Sequence, residues 1–223
     1  MLSDQRMTDS QTTASKGDEK LFLVIVIVLA VIVAAGSWFA AAGLAHHDQF
    51  AGIPPDHERR LADFTLTDAT GHTVTRAELQ GKLLVVSFLF TSCSLTCPEV
   101  SRRMTEIQRL TATNSDVRLL SLTVDPRSDT PSVLARWGER FQADTNRWFL
   151  LTGHKPDLYA VIGTSFLATE TNNPFVSMPG NFAGTDRIAI VDKHGRTRMY
   201  FDGLRPETPA AVCAELEKLR QEP

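Results

Sequence analysis

Leu83-Leu84-Val85-Val86-Ser87-Phe88-Leu89-Phe90 carries no charge and a single hydroxyl, and it limits the fold more than any other stretch of the chain. A strand with one face in water alternates apolar and polar residues, whereas a run that is apolar at both parities has to be buried on both faces. Such a strand belongs in the middle of a sheet covered by helices on either side. The 223 residues give room for one domain of that kind with additional segments. A 43% hydrophobic and 22% charged composition is that of a folded chain. A net charge of −3 argues against a broad nucleic-acid surface.

The elements around the run follow from their periodicity. Phe64–Asp68 alternates, Ala69-Thr70-Gly71 turns, and His72–Thr75 returns as a second strand, with His72 solvated beside the turn. In Pro98–Thr111 the apolar residues Val100, Met104, Ile107 and Leu110 recur at helical spacing. Val117–Val124 is a second buried strand, and Leu134, Trp137 and Phe141 mark a helix after Pro131. Arg187–Val191 and Thr197–Phe201 pair around Asp192-Lys193-His194-Gly195, and Pro209–Leu219 closes the chain as a helix with Val212, Leu216 and Leu219 inward. A βαβ unit joined to an antiparallel ββα unit is the layout of a thioredoxin-like α/β fold, a central mixed sheet flanked by helices.

Ahead of this domain the composition changes three times. Residues 1–20 are polar and read as a flexible cytoplasmic tail. Leu21–Ala45 contains no charged residue over 25 positions. As a helix it would rise roughly 37 Å, enough to cross a hydrocarbon core of about 30 Å. The alternatives are a buried core helix, which would show a polar face, and the apolar part of a cleaved signal peptide, which is usually shorter. Lys16 and Lys20 precede the span and the next basic residues are Arg59 and Arg60, which favours an N-terminus in the cytoplasm and a single-pass anchor with the domain facing the periplasm or exterior. Residues 46–60 read as a linker, in which His46 and His47 are polar linker residues, and the folded domain occupies 61–223.

Three cysteines are too few for a disulfide framework or a four-cysteine zinc site. Cys93 and Cys97 lie in Thr91-Ser92-Cys93-Ser94-Leu95-Thr96-Cys97-Pro98, a polar loop between the buried strand and a helix, while Cys213 is remote and reads as a small packing residue. With Pro98 at the first helical position, Cys97 stands at the helix entrance, where the dipole favours a thiolate. Two thiols within one turn can close a reversible disulfide or hold a soft ion such as Cu(I). Asp125 and Asp129 order their loop and cap the helix that follows.

The stretch FLFTSCSLTCPEV resembles the copper-site loop of the Sco/SenC family, marked by C-x-x-x-C-P after a buried strand. Leu122–Pro131 is similar to that family's T-V-D-P-x-x-D-T-P signature, and Arg147–Gly153 and Ile190–Arg196 match it in order and spacing. The resemblance covers roughly Asp63 to Leu219. It implies a membrane-tethered, thioredoxin-like metallochaperone whose Cys93 and Cys97 bind a copper ion, and which delivers that ion to the copper-centre subunit of cytochrome c oxidase. One departure stands out. The family's third copper ligand, a histidine just before the strand Arg187–Val191, is replaced by Gly184, followed by Thr185. His154 reads as a solvated loop residue and His194 sits in the hairpin turn at the wrong end, so neither replaces it. Met178, in the loop before Gly184, offers a thioether suited to Cu(I).

A thiol-disulfide oxidoreductase acting on partner cysteines needs only the Cys93–Cys97 pair and is the alternative function. A peroxiredoxin-like peroxidase would place Pro and Thr at seven and three positions before its cysteine. Val86 and Phe90 stand there for Cys93, and Phe90 and Ser94 for Cys97, which argues against that reading.

Overall fold

The computed structural model describes residues 24–33, 52, 55, 58–166 and 186–222. The chain divides into two compact units, Met1–Gln49 and Phe50–Pro223. In the first, residues 24–33 form a helix, α1, whose large aliphatic side chains are exposed. Among the described residues no helix is long and apolar enough to cross a membrane. The tail 1–20, most of the span 21–45 and most of the linker 46–60 lie outside the described residues, as do Met178 and Gly184.

The second unit is built on one eight-stranded sheet in the order β1-β8-β7-β4-β5-β6-β2-β3. Its strands are β1 (Arg59–Arg60), β2 (Thr65–Asp68), β3 (Thr73–Thr75), β4 (Leu83–Leu89), β5 (Val117–Thr123), β6 (Trp148–Thr152), β7 (Arg187–Val191) and β8 (Arg196–Asp202). The helices are α2 (Thr96–Leu110), α3 (Pro131–Arg140), α4 (Lys155–Phe166) and α5 (Thr208–Gln221). The eight-residue apolar run becomes β4, and all seven of its strand residues are buried. It pairs in parallel with β5, with Leu83 opposite Val117 and Leu89 opposite Thr123, and antiparallel with β7. Strand β6 continues the parallel set beyond β5. The sheet is therefore mixed, with its parallel strands at the centre.

The two parities of β4 feed two different cores. Leu84, Val86 and Phe88 pack with Leu158, Val161, Ile162 and Phe166 of α4. Leu83, Val85 and Leu89 pack with Val100, Met104 and Ile107 of α2, Leu134 and Trp137 of α3, and Val212, Leu216 and Leu219 of α5. Ser87, the one hydroxyl in the run, is satisfied inside the sheet. It bonds Ser121 at 2.7 Å, and Ser121 in turn accepts from Trp148 Nε1 at 2.9 Å. A buried hydroxyl without such a partner would cost about 1–3 kcal/mol.

Strand β6 and helix α4 add to the elements expected from the sequence. Strand β6 is apolar at both parities, and α4 buries the stripe Leu158, Val161, Ile162, Ser165 and Phe166, with Gly163 beside it. Strand β1 falls at the end of the stretch expected to be linker, where Arg59 and Arg60 pair with Thr197 and Arg196 of β8; the other elements match their periodic patterns within a few residues at the ends. The fold is thioredoxin-like α/β, a central mixed sheet with helices on both faces.

Candidate metal and redox site

The parallel strands β4 and β5 end at the same edge of the sheet, and the crevice beyond the carboxyl ends of such strands is where α/β proteins place their ligands. The cysteine loop leaves β4 there. Val124 N–H donates to Leu89 O at 2.8 Å, and Cys93 N–H donates to Phe90 O at 3.1 Å, turning the chain toward α2. Helix α2 begins at Thr96, and Leu95 before it provides no side-chain cap. The open helix end is met by sulfur instead. Cys97 N–H donates to Cys93 Sγ at 3.2 Å, and Thr96 Oγ1 lies 3.2 Å from the same sulfur. Cys93 thus takes the place of a capping side chain, at the positive end of the helix dipole.

The electrostatics follow from this geometry. Burial by itself pushes the Cys93 thiol up, but the Thr96 hydroxyl, the Cys97 amide and thiol and the Leu95 amide outweigh it and bring the thiol down to about 7. Cys97 behaves in the opposite way. Its side chain is 0% exposed, and burial, reinforced by the Cys93 sulfur, pushes its thiol up to about 12. The dipole argument therefore applies to Cys93 and not to Cys97, contrary to the expectation from sequence. Pro98 is likewise the third residue of α2 rather than the first. A signal for this was present in the chain. Cys97, Val100, Met104 and Ile107 step by three, four and three, so Cys97 opens the buried stripe of its own helix.

A second loop supports the first. Asp129, fully buried, accepts hydrogen bonds from Thr91 N–H at 3.2 Å, from the Thr91 hydroxyl and from the Thr123 hydroxyl. It ties the cysteine loop to the end of β5 two residues before Cys93. The expected helix cap is not made: Thr130 is the cap residue of α3 and no side chain bonds the helix end. Asp125 contributes backbone only, accepting from the Ser128 and Asp129 amides at 3.1 and 2.9 Å and donating to Thr123 Oγ1 at 3.0 Å. Between the cysteines Leu95 is 81% exposed, so the loop presents one large apolar side chain to solvent.

All three cysteines are free thiols. Cys213 sits half-buried on α5, facing Glu106 of α2 and Glu217, and burial pushes its thiol up. Glu106 lies nine residues beyond Cys97, about 13 Å along the helix, which separates Cys213 from the pair. His72 is exposed, and His154 is exposed with Nδ1 3.4 Å from Asp157. His194 lies in the β7–β8 turn at the opposite edge of the sheet from the cysteines. Among the described residues no group of three or more His, Cys, Asp or Glu side chains is placed to hold a metal ion. Two sulfurs four residues apart remain, one in the loop and one in the first turn of α2, a donor set suited to a soft monovalent ion at low coordination number.

The chain is similar to curated relatives and to solved structures. The chain is 35% identical over 92 residues to the SCO1 protein homolog of Bacillus subtilis, a stretch covering 41% of this chain and 48% of that protein. It is 34% identical over 110 residues to a SCO2-like protein of Rickettsia felis, covering 49% and 52%. The chain spans about half the length of these curated relatives. A SCO1/SenC family lipoprotein from Bacillus anthracis superposes with a TM-score of 0.63 at 26% identity, covering 73% of this chain and 96% of that one. ScoI of Bradyrhizobium japonicum with copper bound superposes with a TM-score of 0.57 at 25% identity, covering 71% and 98%. The SCO1/SenC family model matches residues 54–221, nearly the whole of the second unit, and this chain belongs to the SCO1/SenC family.

Proposed function

We propose that this chain is a membrane-anchored copper metallochaperone that assists assembly of the copper centre of cytochrome c oxidase, with Cys93 and Cys97 as its copper ligands. The observation that carries the reading is the pair itself: two sulfurs at the head of α2, one half-exposed and one buried. Membership of the SCO1/SenC family and the copper-bound ScoI relative support it. In this reading residues 1–20 are a cytoplasmic tail, 21–45 the single-pass anchor, 46–60 a linker, and 61–223 the copper-binding domain in the periplasm or exterior. Copper is the cargo. Thiolates are its ligands, so loading displaces a proton from Cys97 and a fraction of one from Cys93, and apparent affinity rises with pH.

The test is titration of the chain with Cu(I) and with Cu(II). With Gly184 at the family's histidine position, Cu(I) binds tightly and Cu(II) weakly. Cys93→Ser abolishes tight Cu(I) binding. Gly184→His raises Cu(II) affinity by about tenfold or more, each factor of ten being about 1.4 kcal/mol. Met178→Ala weakens Cu(I) only if that thioether joins the site. Tight Cu(II) binding that Gly184→His does not change would refute the ligand set.

The unequal thiols also favour a second reading, thiol-disulfide exchange. The Cys93 thiolate attacks a client disulfide, a mixed disulfide forms and one client thiolate leaves. Cys97, losing its proton, then attacks Cys93. The second client thiolate departs, the client is reduced by two electrons and Cys93–Cys97 becomes the disulfide. A chain that binds neither copper ion yet reduces a dithiol client supports this reading over the first.

A further inference from the structure

Four cations from four separate segments line one cleft at the end of the sheet opposite the cysteines. Arg60 comes from β1, Arg76 from the turn after β3, Lys82 from the turn before β4, and Lys193 from the β7–β8 turn. Leu84 pairs with Val191, so this cleft stands beside the first residues of β4, whereas Cys93 follows its last. A strand of that length separates the two sites by roughly 20 Å. The cleft measures about 390 Å³, within the range of small-ligand sites. Its floor is apolar, made by the buried Leu61, Leu79 and Leu84.

Neither the two carboxylates in the lining nor Glu58, which pairs with Arg60 at 2.8 Å with both side chains exposed, cancels the positive charge. Asp192 is already saturated: it accepts the His194 and Arg196 amides at 2.9 Å each, Arg196 Nε at 2.7 Å and Arg198 Nη1 at 3.1 Å. Asp63 pairs with Arg76 at 2.9 Å, but it is 91% exposed, and an exposed pair of this kind contributes little and yields readily. Among the described residues the Lys82 ammonium has no hydrogen-bond or ion-pair partner, and the Lys193 ammonium donates to the Arg220 carbonyl at 3.4 Å and lies within electrostatic reach of Asp116 without an ion pair. In a chain of net charge −3 this is a local excess of positive charge in a concave site with an apolar floor.

We propose that this cleft binds a phosphate group carried on a small organic moiety. A tetrahedral dianion or diester offers several acceptor oxygens to two ammonium groups and a guanidinium fork, and the leucine floor takes the short carbon part. The bound group is either a free organic phosphate or a phospholipid headgroup, and the shared chemistry is the phosphate. The proposal is independent of the copper reading.

The experiment uses the full chain in a neutral detergent. Lysine amines are labelled and read residue by residue by mass spectrometry, with Lys155 and Lys218, exposed elsewhere, as internal references. Glycerol phosphate and inorganic phosphate are added against sodium chloride of equal ionic strength, and vesicles of phosphatidylglycerol against vesicles of phosphatidylcholine. Labelling of Lys82 and Lys193 slows several-fold relative to the references. Slowing by glycerol phosphate assigns a free ligand, and slowing by phosphatidylglycerol vesicles alone assigns a headgroup. Calorimetry with whichever ligand protects gives about tenfold weaker binding for Lys82→Gln combined with Lys193→Gln, and tighter binding for Asp63→Asn, which releases Arg76. Equal melting temperatures show that these surface variants fold. Slowing that chloride reproduces, slowing shared by Lys155 and Lys218, or no slowing with any phosphate overturns the site.

Discussion

At the residue scale the site is defined by how differently two identical side chains are treated. Cys93 accepts from an amide and shares a hydrogen bond with a hydroxyl at a helix end, whereas Cys97 is enclosed by apolar side chains. Alkylation of the reduced chain should therefore modify Cys93 with a pH midpoint near 7 and leave Cys97 untouched while the domain is folded. Thr96→Val should move that midpoint up toward the ordinary thiol value, and equal reactivity of the two cysteines would contradict the assignment. Asp129 is the other residue with a large predicted effect. Asp129→Ala removes the acceptor of the half-buried Thr91 amide and hydroxyl and of the fully buried Thr123 hydroxyl, a loss of about 1–3 kcal/mol in urea unfolding. Asp129→Asn keeps the acceptor oxygen and should lose less.

At the element scale, the head of α2 has to sit close against the end of β8 for the cysteine loop to lie beside the sheet. Gly203 makes that approach possible. A Cβ there would stand 2.8 Å from the Asp186 carbonyl and 3.0 Å from Val100 of α2. Gly203→Ala should destabilise by about 1–3 kcal/mol and loosen the start of α2, read as faster amide exchange at Val100 and Ser101. The disulfide prediction also belongs here. Because α2 carries Cys97 at one end and faces Cys213 about 13 Å further along, mild oxidation should link Cys93 to Cys97 and leave Cys213 free. Mass spectrometry after differential alkylation checks this, and any bridge to Cys213 overturns it.

At the scale of the whole molecule, the cysteine pair makes stability depend on pH and redox state together. The Cys93 thiol is depressed from 9.0 to about 7, so its contribution is complete above pH 9 and is lost as pH falls through 7. The Cys97 thiol is raised from 9.0 to about 12, so its contribution is complete below pH 9 and is lost as pH rises through 12. The stability of the reduced chain relative to the oxidised one should peak near pH 9 in denaturation curves taken across that window. A difference independent of pH would show that the two thiols are alike. Topology is tested separately: a reporter active only outside the cytoplasm, fused after Pro223, should be active in cells whose membranes contain the chain.

The sequence by itself determined the central strands β4 and β5, three of the four helices of the domain, and a cysteine pair at a strand-to-helix turn as the candidate site. These are written in short-range patterns: apolar residues at both parities in β4, helical spacing in α2, and a polar loop carrying two thiols. Helix α4 is harder to read because its buried stripe includes Ser165 and is bordered by Gly163, while the apolar Tyr159 and Ala160 lie off it. Which cysteine is the acidic one was decided only by tertiary structure, because a thiol's proton affinity depends on the side on which it meets solvent, hydroxyls and amides. The cleft of four cations was likewise invisible in the chain, since residues from 60 to 193 meet there only after the β7–β8 turn is brought to the start of β4. Local pattern encodes which faces are buried, whereas charge and reactivity are properties of neighbours that only the folded sheet assembles.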